Sequence, residues 1–405
     1  MRSPVARLVP FGILLIAACS DQVPTSPVGA APAFHRTALG GLPVSALWQD
    51  TVQESLDGGS TYGMYVPVNW NGDVAYYAHG FVAPDLPVGL PANDDAVPFR
   101  DALGALGYAV AYSSYSSNGY DFREGLQRTR DLRGKFRARY GTPAHDFLVG
   151  HSLGSQIVEA LAEEHGRQYD GALAMCGVLG GTRRQLDYVG QTRTVFDFFY
   201  PGVLPGTTTQ MPAITSAELN ARVVGPAYAA VLANPSGFGA MTLLDQTPLA
   251  GRNATEKLTT LLNVLGYQAL GANDVFQRAN NEGTFDNMGL TYSSAFLPPS
   301  LLVALNSAVA RYDAGKHAER WMERNYEPTG DLGIPMLTLH KRYDRLVPFA
   351  HEAAYRDVVT AAGAGAKLRQ RTVDDYGHCE FGVDTMVSNF QDLVHWVESG
   401  TVPVV

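Results

Sequence analysis

Ser152 stands in the string Gly150-His151-Ser152-Leu153-Gly154, with a residue lacking a side chain two places before it and two places after. A serine hydroxyl is a weak nucleophile. To attack a carbonyl carbon it must stand clear of its neighbours, beside a base and within reach of N–H donors that can hold an oxyanion. A sharp strand-to-helix turn provides that exposure, and its crowded backbone leaves room only for small residues at those two positions. The context fits, because the string follows the apolar run Phe147-Leu148-Val149 and opens an amphipathic stretch over residues 155–165. In a chain with 42 glycines the string alone is weak, and a loop or a serine-capped helix start is its plain alternative.

A serine that attacks must lose its proton and later return one to the leaving group, so a histidine is required, with an acid to fix its tautomer. The run Pro335-Met336-Leu337-Thr338-Leu339 reads as a strand, and Asp344 lies just past its end. Another strand, near residues 368–373, leads to Asp374-Asp375-Tyr376-Gly377-His378-Cys379. These spacings nominate Ser152, Asp344 and His378 as nucleophile, acid and base. Asp374 and Asp375 compete for the acid's role, but they lie so close to His378 in the chain that a good angle to its Nδ1 is hard to reach. A surface ion pair of Asp344 with Arg342 or Arg345 is the bland reading of that residue. Upstream, the strand 73–78 runs into His79-Gly80-Phe81. There Gly80 frees the backbone to turn, so that the N–H groups of Phe81 and Leu153 form an oxyanion hole. His79 is read as packing and bonding locally to hold this loop.

These residues need elements to carry them. From about residue 47 short apolar runs alternate with longer helical patterns, which argues for a mainly parallel sheet covered by helices. Strands are expected near 51–55, 62–66, 73–78, 108–113, 147–149, 172–176, 335–339 and 368–373. Helices are expected at 97–106, 122–139, 155–165, 352–361 and 385–397. The rhythm breaks between 182 and 325, where helical segments at 216–234, 255–265, 301–312 and 314–325 are joined by irregular links without a clear strand. One sheet interrupted by a helical insertion fits better than two independent domains.

The order nucleophile, acid, histidine, with a His-Gly loop after the third strand, resembles the α/β-hydrolase fold, from about residue 47 to the end. The stretch Tyr65-Val66-Pro67-Val68-Asn69-Trp70-Asn71-Gly72 leading into Ala78-His79-Gly80-Phe81 is similar to the start of secreted bacterial esterases. The resemblance implies a hydrolase core over 47–181 and 326–405, and a helical cap, or lid, over 182–325. Tannases and feruloyl esterases of this fold tie the nucleophile and histidine loops together with a disulfide. Here His151 occupies the position before the serine, so the matching pair would be Cys176 and Cys379; two buried free thiols are the alternative. Phe196, Phe198, Phe199 and Tyr200 are candidates for an acyl pocket, against simple packing of the cap on the core.

At the amino terminus Arg2 and Arg7 precede an apolar run ending Leu15-Ile16-Ala17-Ala18-Cys19. The run is too short to cross a bilayer and reads as an export signal. Its end resembles the bacterial lipobox, which implies that residues 1–18 are removed, that Cys19 carries lipid, and that 19–46, rich in Pro, Ser, Thr and Ala, is a flexible tether. The resemblance places the protein outside the cytoplasm, anchored to the cell envelope through this lipid only.

Composition sets the outer bounds. The chain has 405 residues, 46% hydrophobic and 17% charged, which excludes disorder and fibrous classes. Thirty Lys plus Arg against 39 Asp plus Glu leave a net charge of −9 and no basic patch for nucleic acid. No His-Glu-x-x-His, zinc-type cysteine spacing or phosphate-binding loop occurs, so neither a metal nor a cofactor is expected. The expected function is a serine hydrolase acting on small-molecule or polymeric carboxylic esters. An exopeptidase or amidase on the same fold, and a non-catalytic surface-binding lipoprotein, are the alternatives.

Overall fold

The computed structural model describes residues 47–55, 57–92 and 96–404. The export signal 1–18, Cys19 and the tether 19–46 lie outside the described residues. Eight strands form one sheet: β1 (Trp48–Ser55), β2 (Thr61–Pro67), β3 (Val74–Ala78), β4 (Ala109–Ser113), β5 (Asp146–His151), β6 (Gly171–Met175), β7 (Met336–Tyr343) and β8 (Leu368–Tyr376). Their order is β1-β2-β4-β3-β5-β6-β7-β8. β2 runs antiparallel to β1 and β4, and every pair from β3 onward is parallel. This mostly parallel sheet, with the serine turn directly after β5, is the α/β-hydrolase fold.

Parallel strands are buried on both faces because the crossover helices cover both, so they read as continuous apolar runs. In β3, Val74, Tyr76 and Ala78 point into one core, which is shared with α2 (Phe122–Tyr140) and α3 (Leu153–Glu164). Ala75 and Tyr77 point into the other, shared with α1 (Ala96–Ala105) and the closing helix α13 (Val383–Ser399). Parallel pairing matters for chemistry. It brings the carboxyl ends of β3, β5, β6, β7 and β8 to one edge of the sheet, so loops distant in sequence meet there.

Between β6 and β7 the described residues form helices and irregular links, with no strand: α4 (Thr182–Phe199), α5 (Ser216–Leu219), α6 (Gly225–Ala233), α7 (Pro235–Met241), α8 (Ala254–Tyr267), α9 (Asn273–Arg278), α10 (Pro299–Ala308) and α11 (Lys316–Arg324). The segment expected as one helix over 216–234 is α5 and α6 joined by a π turn, Asn220–Val224, and a second π turn, Gln268–Ala272, links α8 to α9. Helix α4 was not expected from the pattern, and its inward face shows why. Arg193 is fully buried there; its guanidinium donates to the Asp197 carboxylate, to Gln268 Oε1 and to the carbonyls of Pro205 and Gly206. A residue that breaks the apolar stripe in sequence is thus the polar hub that pins α4 to the second π turn.

Candidate active site

Ser152 alone makes the turn between β5 and α3, at φ 54° and ψ −120°. That conformation is costly for a residue with a side chain and persists only when its surroundings over-determine it. They do so at four points. A Cβ on Gly150 would lie 2.4 Å from the Gly154 carbonyl oxygen, and one on Gly154 would lie 2.0 Å from that of Ala78. The Ser152 N–H donates to the Met175 carbonyl at 3.0 Å. Ser155 Oγ accepts from the Met175 N–H at 2.8 Å and lies 2.7 Å from both the Gly150 and Met175 carbonyl oxygens.

β8 and the loop after it bring His378 to the serine, with Nε2 2.9 Å from Ser152 Oγ. On the other side of the ring, Nδ1 lies 2.8 and 3.0 Å from the two carboxylate oxygens of Asp344. Asp344 is buried, and its Oδ1 also accepts the N–H groups of Leu346 and Val347 at 2.8 and 2.9 Å. Burial pushes this carboxyl upward, but the imidazoles of His378 and His340 outweigh burial and hold it well below the usual carboxylate range. The competing aspartates are engaged elsewhere: Asp374 binds Arg342, and Asp375 binds Lys341 and Arg252. Arg345 pairs with Glu380 and leaves Asp344 to the histidines.

Phe81 and Leu153 line the same cavity as Ser152 and His378. Behind this loop, the His79 ring stacks on Tyr115 with centroids 3.8 Å apart, and its Nδ1 donates to the Gly80 carbonyl at 2.7 Å. Burial pushes the His79 imidazole down to about 4, so it is a neutral brace rather than a base. His151, beside the serine, turns into the opposite core against Tyr77, Phe99 and Met386. Burial first, and the charge of His378 second, take it down to about 3.

Cys176, directly after β6, and Cys379, directly after His378, are joined by a disulfide with Cα atoms 5.3 Å apart. The bond fastens the histidine loop to the strand whose carbonyl holds the Ser152 N–H. Among the described residues two groups approach metal-ligand spacing, Cys176-His378-Cys379 and Asp73-His145-Glu398. The disulfide removes both thiolates from the first. In the second, Asp73 Oδ1 already lies 3.0 Å from the His145 N–H and 2.9 Å from its Nδ1.

Two buried residues escaped the sequence reading. His340, within β7, lies 3.4 Å from Asp344 through Nε2 and 3.2 Å from Glu352 through Nδ1. The available signal was a histidine four residues before the acid; Glu352 sits on α12 (Ala350–Ala361), and no spacing rule pairs it with His340.

A small, narrow cavity opens over Ser152. Its walls are mainly Phe81, Leu153, Val178, Leu346 and Val347, and the insertion contributes Gln185 and Tyr267. Gln185 Nε2 donates to the Leu346 carbonyl at 3.0 Å, and among the described residues its buried Oε1 has no hydrogen-bond partner. Phe196, Phe198, Phe199 and Tyr200 do not line this cavity; they belong to the packing of the insertion, with Phe196 and Tyr200 in ring contact at 4.8 Å. No described helix is long and apolar enough to cross a membrane.

No protein-family profile matches the chain. It is 22% identical to an o-phthalyl amidase of Xanthobacter agilis, over 86% of this chain and 87% of that one. Among solved structures it is similar to an esterase of Pyrococcus furiosus (10% identity, 88% of this chain and 93% of that one, TM-score 0.44). It is also similar to an acylaminoacyl peptidase of Pyrococcus horikoshii (8% identity, 86% of this chain, 41% of that one, TM-score 0.46). A feruloyl esterase B of Aspergillus oryzae is a third such structure (14% identity, 87% and 81%, TM-score 0.42).

Proposed function

We propose that the chain is a serine hydrolase that cleaves carboxylic esters through an acyl-enzyme. The observation that carries this reading is the hydrogen-bonded line Asp344–His378–Ser152, with 2.8 and 2.9 Å links, ending on a hydroxyl held in a strained turn at the floor of a cavity. In the proposed reaction Ser152 Oγ attacks the carbonyl carbon as His378 Nε2 takes its proton. The N–H groups of Phe81 and Leu153 hold the oxyanion, with Gly80 shaping that loop. Collapse expels the alcohol, which receives the proton from His378. Water then repeats the sequence on the acyl-enzyme and releases the acid. Asp344 keeps Nδ1 protonated and stabilises the imidazolium in both halves.

Amide bonds form a second reading, favoured by the activity named for the Xanthobacter relative. An exopeptidase is less well supported, because among the described residues no carboxylate lines the cavity to meet a substrate's terminal ammonium. A binding-only lipoprotein has no use for a strained, base-linked serine.

Short p-nitrophenyl esters and the matching anilides, assayed beside Ser152→Ala and a fluorophosphonate probe, separate these readings. Hydrolysis and covalent labelling should both vanish in the variant; a parent-like rate in Ser152→Ala would sink the mechanism. The envelope anchor at Cys19 belongs to the same proposal, and loss of incorporated fatty acid in Cys19→Ala tests it.

A further inference from the structure

His340 is fully buried, yet both of its ring nitrogens face oxygen acceptors. Nε2 lies 3.1 Å from the Val347 carbonyl oxygen and 3.4 Å from Asp344 Oδ2. Nδ1 lies 3.2 Å from Glu352 Oε1. A neutral imidazole has one N–H and one lone pair, so with Glu352 present as a carboxylate one of these contacts would set lone pair against lone pair, and the doubly protonated ring satisfies both sides. Glu352 is itself fixed, with Oε2 accepting from Thr338 Oγ1 and Gln370 Nε2, each at 2.6 Å. The arrangement is a buried line of alternating groups: Ser152, His378, Asp344, His340, Glu352.

We propose that His340 is a buried imidazolium that acts as a positioning residue for Asp344 and moderates its pull on His378. The inference rests on the serine-hydrolase reading above. An isolated carboxylate against His378 would hold the imidazolium so firmly that the base would be charged, and useless, over more of the pH range. A cation on the far side of Asp344 offsets part of that field while fixing the orientation of the carboxylate. The other charged or titratable groups around His340 fit this assignment. From α12 the remaining neighbour is His351, whose Nδ1 accepts from the Gly180 N–H; burial, then the charge of His340, push it down to about 3. From the loop between β7 and α12, Phe349 presents its ring edge-on at 5.9 Å. From β8 the partner is the uncharged Gln370, bonded to Glu352. Burial works against the cation, and its hydrogen bonds to the Asp344 and Glu352 carboxylates more than offset it, raising His340 to about 10.

The test uses the full chain and two measurements. In His340→Gln the amide can still donate a hydrogen bond but carries no charge, so the acid limb of kcat/KM should move upward by about one pH unit. A role confined to packing would lower activity or stability and leave the limb in place. In parent protein labelled with ¹⁵N-histidine, one ring should remain doubly protonated at pH 8, and its signal should be absent from the variant. An acid limb unmoved in a folded His340→Gln protein, or the absence of any doubly protonated histidine at pH 8 in the parent, would overturn the assignment. The second measurement stands even where the variant does not fold. Failure of the underlying reading looks different, because Ser152→Ala would then retain activity whatever residue occupies position 340.

Discussion

The carboxyl edge of the sheet holds two sets of buried histidines in opposite states. On the side of β3 and β5, His79 and His151 have apolar or aromatic neighbours and are depressed to about 4 and 3, chiefly by burial. On the side of β7, His340 is just as buried as its depressed neighbour His351, yet it is raised to about 10, because Asp344 and Glu352 outweigh the same penalty. Burial therefore does not decide the protonation state of a histidine here; the nearest carboxylates do. The serine stands between the two sets, with neutral braces for its turn on one side and a charged line for its proton on the other.

The largest test of that contrast is at the base itself. His378→Ala should lower kcat/KM by on the order of 10⁴–10⁶. His79→Asn and His151→Asn should lower it less than about tenfold, since neither ring handles the proton. An equal loss in His79→Asn would erase the distinction. Next in size is the acid: Asp344→Asn should lower kcat by on the order of 10⁴ by disturbing the His378 tautomer. Asp375→Asn, which removes only a partner of Lys341 and Arg252, should stay within a fewfold of the parent in the same assay.

The turn under the serine should fail structurally rather than chemically. Gly154→Ala sets a Cβ 2.0 Å from the Ala78 carbonyl oxygen, backbone that cannot step aside. It should destabilise the protein by more than about 3 kcal/mol in urea titration. A folded, fully active variant would show that the turn is looser than its geometry implies.

The smallest effect is the most diagnostic of the two sets. Depressed groups such as His79 and His151 contribute stability that is complete above their unfolded value of 6.5 and declines as pH falls towards 4 and 3. The raised group, His340, contributes stability that is complete below 6.5 and is lost as pH climbs through about 10. Urea midpoints measured from pH 4 to 10.5 should fall at both ends. His151→Asn should flatten the acid arm, and His340→Gln the alkaline arm.

Much of this was legible in sequence because it is local. The strands and helices of the sheet region lie within a few residues of expectation, since apolar runs bounded by glycine and polar turns leave few choices. Ser152, Asp344 and His378 stand out because each follows a strand end. Helix α4 was hidden by Arg193, whose partners Gln268, Pro205 and Gly206 come from other segments. The two π turns were hidden because an extra residue in a turn leaves almost no trace in periodicity. The pairing of His340 with Glu352 depends on the docking of α12 beside β7, which no short-range pattern encodes.

The disulfide between Cys176 and Cys379 spans 203 residues, and the whole helical insertion lies inside the ring it closes. Cutting the backbone anywhere in that ring opens a loop without parting the molecule. The nucleophile would remain on one fragment and the base on the other, with the sulfur bridge between them. A protease that nicks an exposed link of the insertion should therefore yield a product that migrates as one chain until thiol is added, and as two afterwards.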